Sequence, residues 1–175
     1  LVNKNAIDVN HTTWTGTDSP GTWSNGTAGQ FGGNYANDLT NTVTFNGTGT
    51  TVTASGTPQA GSLFFDSTGY TLTGSAQLGI GTITTNGSIS TTISANLSEN
   101  GSSGLTKAGA GSLLLSGSNS YTGTTALNAG TVTIGNANAL GASGNITFSG
   151  GTLQYGSGND TDFSSRIKNS GSSII

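Results

Sequence analysis

Residues 111–155, GSLLLSGSNSYTGTTALNAGTVTIGNANALGASGNITFSGGTLQY, state one pattern three times. Gly111-Ser112-Leu113-Leu114-Leu115, Gly130-Thr131-Val132-Thr133-Ile134 and Gly151-Thr152-Leu153-Gln154-Tyr155 each run glycine, hydroxyl, apolar, any residue, apolar. Their glycines stand 19 and then 21 residues apart. Apolar residues two apart share one face of an extended chain, so each copy predicts a strand with two inward side chains. A second ladder runs beside the first: Leu105, Leu127, Ile146 and Ile167, spaced 22, 19 and 21. Upstream, the pairs Val43/Phe45 and Leu63/Phe65 again lie 20 apart. Two ladders with one period of about twenty predict an all-β chain wound as a parallel β-solenoid. Each coil then gives one strand to each sheet, and coils stack at about 4.8 Å. A hairpin sandwich also suits turn signals every eight to twelve residues or so. It does not demand two ladders locked to one period.

The composition fits a thin core. Thr 31, Gly 30, Ser 24 and Asn 18 make up most of the 175 residues, whereas charged residues are 6%. Disorder needs high charge as well as low hydrophobicity, and a net charge of −3 does not supply it. In a stacked coil the backbone groups of each strand pair with the coils above and below. Small side chains also lose little entropy on ordering. Several function classes fall away. No apolar run approaches the ~18 residues of a membrane helix. Four basic residues and a pI near 4.5 leave no patch for phosphates, so no nucleic-acid partner is expected. The lack of cysteine removes thiol chemistry and Cys-ligated zinc, and a single histidine, His11, builds no multi-His site.

No catalytic residues, cofactor or metal are expected. The acids Asp8, Asp18, Asp38, Asp66, Glu99, Asp160 and Asp162 are scattered, with only the last pair close. That pair lies in Gly156-Ser157-Gly158-Asn159-Asp160-Thr161-Asp162-Phe163, which resembles the calcium-binding nonapeptide of β-rolls. Such sites take ligands from two consecutive turns. One copy therefore predicts a solvated turn, with Arg166 and Lys168 near enough for a weak surface ion pair.

The first forty residues differ. Trp14, Trp23, Phe31 and Tyr35 stand there with little alternation. We divide the chain into an irregular, aromatic-containing N-terminal cap at 1–40 and a solenoid at 41–175. The aromatics have two readings: a cap over the first coil, or a platform on which sugar rings stack. At the other end, Ile174 and Ile175 fall where a further inward strand begins. An open coil presents unpaired backbone groups. Leu1, Val2, Ile7 and Val9 form a strand suited to such an edge, and pairing of unlike ends yields filaments. The alternative is covalent continuation of a longer chain, and the absence of Met, even at position 1, fits a processed product or a piece of one.

Residues 104–135, GLTKAGAGSLLLSGSNSYTGTTALNAGTVTIG, closely resemble the autotransporter-associated β-strand repeat of bacterial secreted passenger domains. The matching pieces are Gly104–Lys107, Gly111–Gly117, Asn119–Gly123 and Asn128–Val132. Leu114 stands at a usually polar position, and Val132 replaces Leu. The resemblance implies a right-handed parallel β-helix, an extracellular or bacterial cell-surface location, and a fibre, stalk or adhesin role. It carries over no catalytic residues. The expected function is a non-enzymatic extracellular structural module whose partners are copies of itself or adjacent repeats, end to end. The alternative is a carbohydrate-binding module that holds surface glycans through Trp14, Trp23, Phe31 and Tyr35.

Overall fold

A computed structural model of the protein describes residues 11–14, 22–24, 38–74, 77–99 and 104–168. In chain order the strands are β1 (His11–Trp14), β2 (Thr22–Ser24), β3 (Asp38–Phe45), β4 (Thr51–Ser55) and β5 (Gln59–Phe65). There follow β6 (Thr71–Thr73), β7 (Gln77–Thr85), β8 (Ser90–Ile93), β9 (Asn96–Ser98) and β10 (Gly104–Ala108). The last five are β11 (Ser112–Leu115), β12 (Thr124–Leu127), β13 (Thr131–Ile134), β14 (Ile146–Phe148) and β15 (Thr152–Tyr155). They form two sheets in the orders β1-β3-β5-β7-β10-β12-β14, with β9 also on β7, and β2-β4-β6-β8-β11-β13-β15. Successive strands alternate between the sheets, except that β9 and β10 both lie against β7, and all pair in parallel, as in β11 with β13 and β10 with β12. The fold is a parallel β-solenoid with coils of about twenty residues.

The pleat explains how so little apolar material suffices. In β4, Val52 and Ala54 are buried between exposed Thr51, Thr53 and Ser55, and β-branched threonines suit the solvent side of a strand. Stacking aligns these inward positions into columns. Val52, Leu72, Ile93, Leu115, Ile134 and Tyr155 stand level in successive coils. Their outward neighbours Thr51, Thr71, Thr92, Leu114, Thr133 and Gln154 form a parallel column, so coils of 20, 21, 22, 19 and 21 residues keep one register. Among the first coils the interior is aromatic: the Phe45 and Phe65 rings stack at 4.6 Å, and Tyr70 tilts against both.

Of the ten ladder residues read from the sequence, Leu105, Leu113, Leu115, Leu127, Val132, Ile134, Ile146 and Leu153 are buried. Tyr155 and Ile167 are partly buried against the same core. The register corrects the composition of the second ladder. Leu105 lies level with Thr125, Thr125 with Ile146, and Ile146 with Ile167. Leu127 belongs to the adjacent column, between Lys107 and Phe148. Each strand carries two inward positions two residues apart, so spacing alone does not say which of them is level with its neighbour.

Two segments of the first forty residues join the sheets. Trp14 lies opposite Phe45 in the β1–β3 register, and Trp23 opposite Ala54 in β2–β4. Phe31 and Tyr35 lie outside the described residues, as do Leu1, Val2, Ile7, Val9, Ile174 and Ile175. After β15 the chain turns through Gly156–Phe163. Asp160 and Asp162 are exposed there, and Phe163 is the residue that enters the core. Asp162 accepts a hydrogen bond from the Ser164 amide at 2.8 Å, which holds its carboxyl below the usual range. Arg166 turns inward to the preceding coil: its guanidinium donates to the carbonyls of Leu140, Gly141, Ser143 and Gly144 and lies 5.5 Å from the Phe163 ring centroid.

Candidate functional site

The polar residues that mark the sequence motif turn inward at separate places in coils five and six, counted from β1. Lys107 follows the inward Leu105 by two residues, so alternation in β10 turns its side chain into the core. It is fully buried, level with Ile83 on one side and Leu127 on the other. Its ammonium donates to the carbonyl oxygens of Ala108 at 2.7 Å, Gly109 at 2.8 Å and Ala129 at 3.2 Å. Ala129 belongs to the next coil, so one side chain ties two turns together. Burial pulls the Lys107 pKa down to about 8.

Asn119 does comparable work on the side of the coil between the two sheets. Its Oδ1 accepts from the Leu97 amide of the preceding coil at 2.8 Å, and its Nδ2 donates to the Ala139 carbonyl of the following one at 2.6 Å. Three coils are thus joined by one buried amide. Two residues on, Tyr121 is also buried, with its hydroxyl 2.9 Å from Thr125 Oγ1. Burial pushes the Tyr121 pKa up to about 12, against the opposing influence of the Thr125 bond and the Arg166 charge. Exposed Glu99 reaches the same corner, accepting from the Thr122 amide and hydroxyl. The motif's glycines have a steric reason. A Cβ on Gly117 lies 2.2 Å from the Ala95 carbonyl oxygen, and one on Gly130 lies 2.2 Å from that of Gly111.

This constellation is therefore a set of backbone clamps with no open face toward a substrate. Among the described residues no group of three His, Cys, Asp or Glu side chains comes together as a metal site.

The family model of the passenger-associated-transport repeat matches residues 105–134, the stretch that holds Lys107, Asn119 and Tyr121. The chain carries the passenger repeat of autotransporters. It is also 40% identical over 114 residues to the adhesin BmaC autotransporter of Brucella suis biovar 1 (strain 1330). That alignment covers 63% of this chain and 3% of the relative, so the chain spans a small fraction of that adhesin's length. No solved structure matches the chain. In the passenger repeat, the Gly-Leu-Thr-Lys and Asn-x-Tyr-Thr-Gly strings are the sequence trace of the clamps. Their residues were visible in the sequence as motif members, but a lysine in a strand or an asparagine in a turn reads as solvent-facing.

Asn119→Ala is expected to destabilise the passenger repeat by about 2–4 kcal/mol, because a buried N–H and a buried C=O each lose a partner at roughly 1–3 kcal/mol apiece. Denaturant midpoints check this. Amide exchange adds a local reading: the Leu97 N–H is expected to lose protection first.

Proposed function

We propose that this chain is a non-enzymatic extracellular structural module, a segment of a surface fibre, stalk or adhesin, whose coils associate end to end with further coils. The observation that carries this reading is the use made of the motif. Lys107, Asn119 and Tyr121 face inward, and the lysine and asparagine bond one coil to the next. The side chains that define the repeat are engaged in stacking, not presented to a reactant. Similarity to the Brucella adhesin supports a place at the cell surface. Continued stacking is supported by the regularity of the columns: each coil offers its neighbour the same inward positions in the same register.

Electron micrographs and sedimentation of the purified chain test the reading together. Rods that lengthen with protein concentration, and shorten when residues 1–9 are removed, are the expected result. A monomer at every concentration, with and without that segment, refutes non-covalent association and leaves the continuous rod. Release of reducing ends from a polysaccharide by the purified chain overturns the non-enzymatic assignment.

A further inference from the structure

Asp66 is the only charged residue between Asp38 and Glu99. It stands at the edge of a shallow groove of about 570 Å³ that runs across the turns between the two sheets in three successive coils. Gly47 and Gly49 form the turn of one coil, Asp66 and Thr68 lie in the next, and Ile89 comes from the third. Glycine at 49 lets the turns of the first two coils pack directly on each other, since a Cβ there lies 2.2 Å from the Thr68 carbonyl oxygen. The adjoining backbone is already paired from coil to coil, Asp66 N to Phe45 O and Asn86 N to Phe65 O. A peptide therefore finds no free strand edge at these positions.

Asp66 is held by the neighbouring coil: Asn86 Nδ2 donates to its Oδ1 at 2.8 Å. The side chain is exposed, and among the described residues nothing donates to its other carboxylate oxygen, Oδ2. The groove so presents one acceptor of full charge, the Asn86 amide bonded to it, and the half-buried Ile89 as an apolar patch, while the Thr68 hydroxyl is already bonded to the Ser90 backbone.

We propose that this groove is a binding site for a neutral saccharide. A pair of sugar hydroxyls donates to the Asp66 carboxylate in charge-assisted bonds, the Asn86 amide meets an adjacent hydroxyl, and Ile89 covers the ring's C–H face. A phosphate or an acidic sugar is repelled by this carboxylate, which among the described residues lining the groove has no cation beside it. A divalent cation finds one carboxylate where it needs several oxygen ligands. The coil spacing of about 4.8 Å is close to the length of one pyranose unit in a linear glycan, so a chain lying along the axis offers about one ring to each coil. The proposed contacts use none of the N-terminal aromatics and do not depend on the end-to-end association proposed above.

The test is a printed array of neutral glycans probed with the whole 175-residue chain, followed by calorimetry with the best hit as a free oligosaccharide. Weak binding without added calcium is expected, reduced about tenfold or more by Asp66→Ala, the equivalent of one lost charge-assisted contact. The melting temperature should stay unchanged, since Asp66 is exposed. Ser88→Trp, which puts a bulky ring in the groove and leaves Asp66 itself unchanged, is expected to abolish binding too. Four results overturn the site: no glycan bound, binding that survives Asp66→Ala, binding that requires calcium, or binding lost only in Trp14→Ala and Trp23→Ala. Rods in micrographs are unaffected by either groove variant, which separates this site's failure from that of the structural assignment.

Discussion

Alanine at position 130 is expected to lower the unfolding free energy by about 4 kcal/mol or more, among the most damaging of single substitutions. Gly130 has φ of 68°, and an L-residue in that left-handed region costs roughly 1–2 kcal/mol. The larger part is steric. The added Cβ lies 2.2 Å from the Gly111 carbonyl oxygen and 2.6 Å from that of Gly109. Both obstacles are backbone of the preceding coil, so neither rotates away; the coils must separate. Separation stretches the Thr131 N–Gly111 O bond, already 3.3 Å, and draws Ala129 O from the Lys107 ammonium. Gly158 is the control. Its φ is 77° and nothing lies within 4 Å of its Cβ, so Gly158→Ala carries the conformational cost alone. Guanidinium midpoints of the two variants are expected to differ widely. Equal shifts would show that close approach of the coils is not what glycine serves at 130.

Lys107→Met carries the second large effect, about 2–4 kcal/mol of destabilisation. Methionine matches the lysine stem and fits between Ile83 and Leu127, but leaves the carbonyls of Ala108, Gly109 and Ala129 without their donor. Each unpaired buried acceptor costs roughly 1–3 kcal/mol. Removing a desolvated charge offsets part of that sum, so the net is well below three full penalties. The pH dependence gives a sharper signature. The Lys107 pKa is about 8 when folded against 10.5 when free. Between those values the unfolded chain binds more protons than the folded one, so this group makes stability rise with pH across the window. Below about 8 the lysine is protonated in both states and contributes no slope. The wild-type midpoint is expected to climb relative to Lys107→Met between pH 8 and about 10. A constant difference across that window would mean that the amine is not desolvated. Because Gly130 and Lys107 share Gly109 O, their combined loss is expected to fall short of the sum.

The inward aliphatics were legible because alternation and a common period of about twenty reinforce each other. Leu113, Val132 and Leu153 share a strand position, and the register places them level. Lys107 was not legible as core, since its charge argues for solvent until the three carbonyls are seen. The side of the coil that holds Leu78, Leu97, Asn119 and Leu140 also went unread. Its inward positions mix aliphatic and amide side chains, so no hydrophobic ladder forms there for periodicity to detect. β1 and β2 escaped for another reason: four and three residues are too few for alternation to register. The saccharide groove leaves only one trace in the sequence, a single acid in a long uncharged stretch.

The steady register through coils of 19 to 22 residues sets a ruler for whatever the chain carries. One coil advances the axis by about 4.8 Å, whereas the same twenty residues wound as an α-helix would reach about 30 Å. The solenoid thus uses some six times more chain per unit of reach, and that chain goes into width. Bending stiffness grows steeply with width, so the extra residues act as a beam that holds its far end at a fixed distance. Extra residues in a turn leave the ruler unread, and one residue inserted inside a strand inverts the faces that follow. A whole duplicated coil moves the tip by one graduation.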